Sequence, residues 1–273
     1  MTLDALSSIP PHQIIALNDA ELSENQIHRD DIAAKYGFTG ALVSGVNVFG
    51  YLTQPLVKAY GEEVLSKGIM DVIFLKPAYH GKLLSIRTEN LDSANHDRHH
   101  LTSAFDEAGV LLAKLESWLP LDLPPISNLA RRVSGLEQQE RVEINWDLIH
   151  LQRAAPSCLW QPTAEDNRQR IEALQDDCEI YRREAALIHP YFLLDACNKA
   201  LMRMFVLPAW IHTGSRLTLR KPIRTGQAVD VRTIPVQKWE RKGHQFIKLY
   251  IAMWIDEQVA LEVEHSAIFK IAG

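Results

Sequence analysis

Two segments in the first half of the chain carry groups that can do chemistry. Asn25 and His28 stand within one turn of chain, and an imidazole readily takes or gives a proton near neutral pH. Ser44 and Gly45 open an apolar segment of helical period, and the first backbone amides of a helix are free to bind a carbonyl oxygen. His28 is therefore a candidate catalytic residue, and Asn25, Ser44 and Gly45 are candidate substrate-binding residues. The alternatives are a place on a polar loop for His28, capping of a helix that starts near Asp30 for Asn25, and a close-packing role for Gly45.

The second half offers a carboxylate and another imidazole. Asp195 lies inside a largely apolar segment of helical period, where burial would raise its pKa and suit it to proton donation. We expect Asp195 to be the second catalytic residue, and an ion pair with Lys199 at i,i+4 is the alternative. His189 stands before a proline at the start of this segment. It is expected to bind substrate or, alternatively, only to begin the helix.

Three other histidine positions call for an interpretation. Trp210 and His212 fall on one side of a predicted strand and are expected to line the substrate pocket, although a packed aromatic is the alternative for Trp210. His265 is predicted to be a core histidine. The histidine-rich segment 95–100 is predicted to be a solvated turn, and no metal site is expected. The chain contains no Gly-x-Ser-x-Gly, P-loop or His-Glu-x-x-His motif.

The elements that must position these residues occur twice. Pro77 and Gly81 recur as Pro222 and Gly226, each 145 residues later, and the same offset sets Ser44 against His189. One gapless register over residues 44–87 and 189–232 indicates an internal duplication.

Each copy has the same predicted order: a nearly buried helix, a strand, a Pro-x-x-x-Gly turn and three further antiparallel strands. The helices are predicted at 43–59 and 193–206. The last three strands of the copies are predicted at 82–88, 98–105 and 111–119, and at 227–234, 244–254 and 258–271. Between the copies, 142–151 is predicted to be a strand and 163–186 a surface helix. A sheet that is apolar on one face must bury that face, and the helix of its own copy is the available cover.

Composition narrows the class of protein. The 273 residues are 47% hydrophobic and 23% charged, with a net charge of -5, which is ordinary for a soluble globular protein. The mild acidity gives no reason to expect nucleic acid or anionic lipid as a partner. No apolar run is long enough for a membrane span, the N-terminal residues lack a signal-peptide pattern, and three cysteines form no metal-type spacing. A cytoplasmic protein with no membrane partner is therefore expected.

The first copy resembles the MaoC-like hydratases. Its segment reads Asn25-Gln26-Ile27-His28-Arg29-Asp30, followed by a Gly-Phe pair and the glycine that opens the helix. The resemblance implies an α+β double-hotdog fold, in which two tandem repeats each wrap a sheet around a long helix. The implied organisation is a first hotdog over 1–120, a linker over 121–185 and a second hotdog over 186–273. In the family an aspartate five residues before the histidine shares its work, and Ser23 stands at that place here.

The second copy resembles the dehydratase domains of polyketide synthases. Its segment 188–197 reads Ile-His-Pro-Tyr-Phe-Leu-Leu-Asp-Ala-Cys, and the family takes its aspartate from the second half. This resemblance implies that His28 activates or orients water while Asp195 supplies the proton.

Together the two resemblances imply a hydratase or dehydratase of acyl thioesters. A hotdog acyl-CoA thioesterase and a non-catalytic acyl-thioester-binding protein are the alternatives. No cofactor is expected beyond the CoA or carrier-protein pantetheine of the substrate itself. A monomer or a homodimer is expected, because the two copies already form one hotdog pair.

Overall fold

The structure is a computed structural model, and it describes residues 9–91, 98–132, 137–138 and 140–272. This part of the chain is α+β, with a single ten-stranded antiparallel sheet. The strands are β1 (His12–Ile15), β2 (Ile69–Phe74), β3 (Leu83–Leu91), β4 (Arg98–Phe105), β5 (Leu111–Leu119), β6 (Cys158–Trp160), β7 (Ile211–Leu219), β8 (Val229–Arg241), β9 (His244–Ile255) and β10 (Gln258–Lys270). The α-helices are α1 (Asp30–Lys35), α2 (Gly45–Tyr60), α3 (Glu62–Lys67), α4 (Asn128–Arg132), α5 (Ala164–Ala173) and α6 (Tyr191–Met204). The strand order is β1-β3-β4-β5-β2-β7-β10-β9-β8-β6.

The two halves of the sheet meet where β2 pairs with β7. Asp71 lies opposite Arg216 in this ladder, and Arg216 Nη1 is 3.4 Å from Asp71 Oδ2. These positions are 145 residues apart, which is the offset of the sequence repeat. A residue that pairs with its own repeat equivalent marks a pseudo-twofold axis. The predicted duplication is therefore confirmed, and its axis passes through the β2–β7 ladder.

The same offset recurs in the backbone hydrogen bonds that precede the two long helices. The Val43 amide donates to the Ala78 carbonyl oxygen at 2.9 Å, and the Ile188 amide donates to the Ile223 carbonyl oxygen at 3.0 Å. Each bond ties the segment before a long helix to the Pro-x-x-x-Gly turn of the same half. The helices α2 and α6 therefore start at equivalent places.

Both long helices lie against the apolar face of the sheet. Every residue of α2 from Val46 to Val57 is buried, which is why its sequence is apolar almost all round. The buried residues of α6 recur at helical spacing, with Lys199 exposed on the opposite side. These packed helices agree with the helices predicted at 43–59 and 193–206, and the strands predicted at 98–105 and 111–119 are confirmed as β4 and β5.

The segment between the copies differs from the prediction. Residues 142–151 do not form a strand: Glu143 makes an isolated bridge with Val206, and the rest is turn and loop. The first strand of the second copy is instead β6, which pairs with β8 as β1 pairs with β3. The helix predicted over 163–186 ends at Ala173, because Gln175 takes a left-handed backbone conformation at φ 55°.

A buried hydrogen bond between an imidazole and a carboxylate holds the start of α6. His189 Nε2 lies 3.1 Å from Asp176 Oδ2, and both side chains are almost fully buried. The Tyr191 amide donates to His189 Nδ1, so the ring proton sits on Nε2 and points at the carboxylate. Burial lowers the pKa of His189, despite the neighbouring Asp176. Burial opposes ionisation of Asp176, but the bonds from His189 and Cys178 hold the pKa of this carboxyl below its ordinary value.

We expect Asp176→Ala to lower the free energy of unfolding by about 1–3 kcal/mol, because it leaves a buried imidazole N–H without its acceptor. The matched control is Asp177→Ala, which removes an exposed partner of Lys58 and should cost less than about 1 kcal/mol. Both shifted groups bind more protons in the unfolded state, so the stability that the pair contributes falls from about pH 6.5 downward. Urea unfolding of the variants across this pH range measures both effects. Equal losses for the two variants would contradict the assignment.

Candidate functional site

A cavity of about 400 Å³ lies between the two halves, at the start of α2. The first half supplies one side of its wall and the second half the other. Wall residues from the first half include Asn25, His28, Ser44, Gly45, Phe74, Leu84, Ala104, Leu112 and Ala113; those from the second include Asn198, Trp210, His212, His244 and Ile268. The fold therefore brings together six of the eight predicted site residues, namely Asn25, His28, Ser44, Gly45, Trp210 and His212.

Asn25 joins the two halves at this wall. Its Nδ2 donates to the Trp210 carbonyl oxygen at 3.0 Å, and the Trp210 amide donates to its Oδ1 at 3.1 Å. The backbone partners fix which end of the amide is nitrogen. Oδ1 also accepts from the Ile27 amide and so caps the 3₁₀ helix Gln26–His28, whereas the residue before the helix that begins at Asp30 is Arg29.

The His28 ring has a defined proton position. Its Nδ1 is 2.7 Å from the Leu42 carbonyl oxygen, and because a carbonyl only accepts, Nδ1 carries the proton. Nε2 is then the basic nitrogen, 3.4 Å from Asn25 Nδ2. Burial lowers the pKa of His28, and the bond to Leu42 and the charge of Asp19 only partly oppose this. The ring is therefore a neutral base at pH 7.

The two long helices differ in how their first amides are satisfied. Ser44, which precedes α2, makes no capping bond with its side chain, whereas His189 Nδ1 accepts from the first amide of α6. The backbone of α2 also lies close to its neighbours here: a Cβ on Gly45 would be 3.3 Å from Phe74 Cε2 and 3.4 Å from His212 Nδ1. The start of α2 is thus an uncapped helix terminus that faces the cavity.

A row of three side chains leads from the cavity into the sheet. His212 Nε2 is 2.8 Å from Ser215 Oγ, which is 2.9 Å from His265 Nδ1. His212 is 7% exposed and its Nδ1 has no partner among the described residues. Burial lowers the pKa of His212, and the proximity of His265 adds to the effect. The predicted core histidine, His265, is buried but takes part in this row.

Asn198 is a wall residue that the sequence analysis did not select. Its Oδ1 is buried without a partner in the part of the chain that the structure describes, and the same holds for Trp210 Nε1. The available signal was an amide inside an apolar helix, three residues after Asp195. Its meaning depends on α6 packing against α2, which brings Asn198 to the cavity and which a single sequence does not reveal.

Asp195 and His189 lie outside the cavity wall. Asp195 Oδ2 is 2.7 Å from Lys199 Nζ, as in the alternative interpretation of this residue. Glu24 pairs with Arg141, and Ser23 is exposed. No carboxylate belongs to the wall as far as the described residues form it.

Side chains that could bind a metal ion lie outside the cavity wall. Asp176, Asp177 and Cys178 come within 4.8 Å of one another, but Asp176 is occupied by His189 and by the Cys178 amide. Residues 95–97 of the histidine-rich segment lie outside the described residues. At the start of β4, His100 is buried rather than solvated, because its Nδ1 contacts Asn90 at 2.8 Å.

Comparison with known proteins identifies the fold. No family model and no curated protein matches the sequence. Among solved structures, a protein of Chloroflexus aurantiacus, provisionally described as a MaoC-domain dehydratase, aligns with a TM-score of 0.67 at 11% identity, over 97% of this chain and 94% of that one. A Mycobacterium tuberculosis protein described as having a double hotdog fold aligns with a TM-score of 0.60 at 12% identity, over 95% and 94% of the two chains. The fold is a double hotdog.

The double hotdog also occurs in proteins described as thioesterases. A provisionally named oleoyl thioesterase of Lactobacillus plantarum aligns with a TM-score of 0.54 at 9% identity, over 95% of this chain and 96% of that one. The predicted resemblance to MaoC-like dehydratases is confirmed at the level of the fold. Within the described residues, no helix combines the length and apolar character that a membrane crossing requires.

The Asn25 bonds across the double hotdog predict two different substitution effects. Asn25→Ala should lower the free energy of unfolding by about 1–3 kcal/mol, because it leaves Trp210 N–H and C=O without partners. Asn25→Asp keeps the acceptor but sets a carboxylate oxygen against the Trp210 carbonyl. We expect this variant to be the less stable of the two at neutral pH and to recover as the carboxyl becomes protonated in acid. Urea unfolding at several pH values measures this, and identical pH profiles would contradict the amide assignment.

Proposed function

We propose that this protein adds water to an enoyl thioester, or removes it from a 3-hydroxyacyl thioester, with His28 as the catalytic residue. The observation that carries the proposal is the uncapped start of α2 on the same cavity wall as a neutral imidazole with a basic Nε2. The start of α6 is closed by His189, which supports a single site per chain.

One imidazole can perform both proton transfers of the dehydration. Nε2 takes the α-proton of the 3-hydroxyacyl thioester, and the electron pair moves toward the thioester oxygen. The imidazolium then gives that proton to the β-hydroxyl group as the Cβ–O bond breaks, so that water leaves and the Cα–Cβ double bond forms. Both reacting groups must lie on one face of the substrate. Hydration runs through the same steps in reverse.

The start of α2 stabilises the charge that develops in this reaction. The amides of Gly45 and Val46 have no acceptor within the helix, and the positive end of the helix dipole is at the same place. A thioester oxygen bound there gains negative charge when Cα loses its proton. Donors aimed at such an oxygen contribute on the order of 10²–10³ in rate in other enzymes.

The wall suits an acyl group carried on pantetheine. Leu84, Ala104, Leu112 and Ala113 form an apolar surface for the acyl chain, and the volume of about 400 Å³ falls within the usual range of small-molecule sites. Lys76 is an exposed cation on the wall and supports a carrier with phosphate groups. The carrier is CoA or carrier-protein pantetheine, and no further cofactor takes part. The cytoplasm stays the expected location, and a monomer or homodimer the expected assembly.

Incubation with a panel of enoyl-CoA and saturated acyl-CoA thioesters, read by mass spectrometry, tests this function. We expect enoyl-CoA to gain the mass of one water molecule. His28→Ala should lower the rate by about 10²-fold or more, since it removes the group that moves both protons. Release of free CoA from saturated substrates would instead identify a thioesterase, for which the same amides and the same base are suitable.

The matched control is Asp195→Asn, which alters a carboxylate paired with Lys199 outside the wall. It should keep full turnover, and a loss as large as that of His28→Ala would return the acid role to Asp195. Thioesters that stay unchanged but raise the melting temperature would contradict both enzyme activities and identify a binding protein.

The pH dependence of kcat/KM follows from the lowered pKa of His28. The neutral ring is the active form, so the rate should stay constant down to about pH 6.5, the ordinary histidine value, and fall only below it. The measurement is kcat/KM for hydration across this range. A fall that begins above pH 6.5 would show that another group, or an unburied His28, limits the reaction.

A further inference from the structure

The row His212–Ser215–His265 has two possible arrangements of protons, and only one of them places the unpartnered N–H on a residue of the cavity wall. The Ser215 hydroxyl donates its single proton to one of the two imidazoles, and its oxygen accepts from the other. If His212 donated to the serine, His265 would carry its proton on Nε2, which is buried without a partner among the described residues. An orphaned N–H inside a protein is rare and costs free energy.

In the opposite arrangement a bound ligand can remove this cost. His265 Nδ1 then donates to Ser215, the hydroxyl donates to His212 Nε2, and the proton of His212 sits on Nδ1 at the cavity wall. His212 Nδ1 is as buried as His265 Nε2, but only His212 belongs to the cavity wall, so a ligand that fills the cavity can accept its proton. The burial that lowers the pKa of His265 to about 3, and that of His212 as well, keeps both rings neutral, so the row holds tautomers and not charges.

We propose that His212 Nδ1–H donates a hydrogen bond to the thioester carbonyl oxygen of the substrate, beside the amides at the start of α2. This inference rests on the proposed function and gives the oxygen site a second donor, contributed by the other half of the molecule. The location supports it, because His212 Nδ1 lies 3.4 Å from where a Cβ of Gly45 would be. The Phe74 ring packs edge-on against the His212 ring, with 4.8 Å between the ring centroids, and holds the imidazole in its orientation.

A neutral imidazole suits this role. A hydrogen bond to a developing oxyanion strengthens as the charge grows, and it requires no proton transfer from the ring. A substrate oxygen that accepts from Nδ1 favours this tautomer, because it satisfies the one N–H that the row leaves without a partner. Ser215 and His265 are then positioning residues, which act on the reaction through His212.

Affinity for a pair of ligands separates this role from a purely structural one. Hexanoyl-CoA has a thioester carbonyl group, and S-hexyl-CoA has a methylene group in place of that carbonyl group. We expect His212→Phe to weaken the binding of hexanoyl-CoA by on the order of tenfold and to leave the affinity for S-hexyl-CoA unchanged. Only hexanoyl-CoA has an oxygen that accepts the hydrogen bond. Ser215→Ala should weaken hexanoyl-CoA selectively as well. The matched control is Ser117→Ala, a buried serine on β5 that should alter neither affinity.

Nitrogen-15 NMR of the hexanoyl-CoA complex tests the tautomer in the wild-type protein. The account predicts a protonated Nδ1 on His212, with protonated Nδ1 lost in part in Ser215→Ala. An unprotonated Nδ1, or equal losses of affinity for both ligands, would overturn the inference and leave the proposed function standing. Failure of the wild-type protein to bind either ligand would contradict the proposed function together with the inference.

Discussion

The pairing of β2 with β7 is the constraint on which the rest of the structure depends. It joins the two copies into one sheet and places Asp71 opposite its own repeat equivalent, Arg216. Because that register is fixed, the end of β2 carries Phe74 to the start of α2 while the beginning of β7 carries His212 to the same point. The cavity is a consequence of this strand pairing, and neither half contains it alone.

The two equivalent helix starts of the duplicated fold differ in how their first amides are hydrogen-bonded. At the start of α2, Ser44 makes no side-chain cap and the amides face the cavity. At the equivalent place in the second half, His189 caps the helix with Nδ1 and donates from Nε2 to Asp176, and its own amide donates to Asn167. In the second copy the helix terminus therefore stabilises the fold, whereas in the first copy it stays open for a ligand. The same fold supplies both, and the difference is a histidine in place of a serine.

Much of the fold could be predicted because each repeated element is indicated by two segments of the sequence, one in each copy. The alternation in 98–105 and 111–119 matched β4 and β5, and the 145-residue offset held in the loops as well as the strands. The three-residue β6 could not be found, since a strand that short carries no period of its own. Asn198 and the contact between Ser215 and His265 could not be predicted, because the former depends on α6 packing against α2 and the latter on β7 pairing with β10. The Asp195–Lys199 pair was within reach, because an i,i+4 ion pair is local.

A crystal structure with a bound 3-hydroxyacyl-CoA, in the His28→Ala variant to slow turnover, tests the central claim most directly. The account predicts the thioester oxygen within hydrogen-bond distance of the Gly45 amide and of His212 Nδ1. It also predicts that Cα and the β-hydroxyl face the space that the His28 ring vacates. An acyl group bound elsewhere, or a thioester oxygen turned away from the start of α2, would contradict the account.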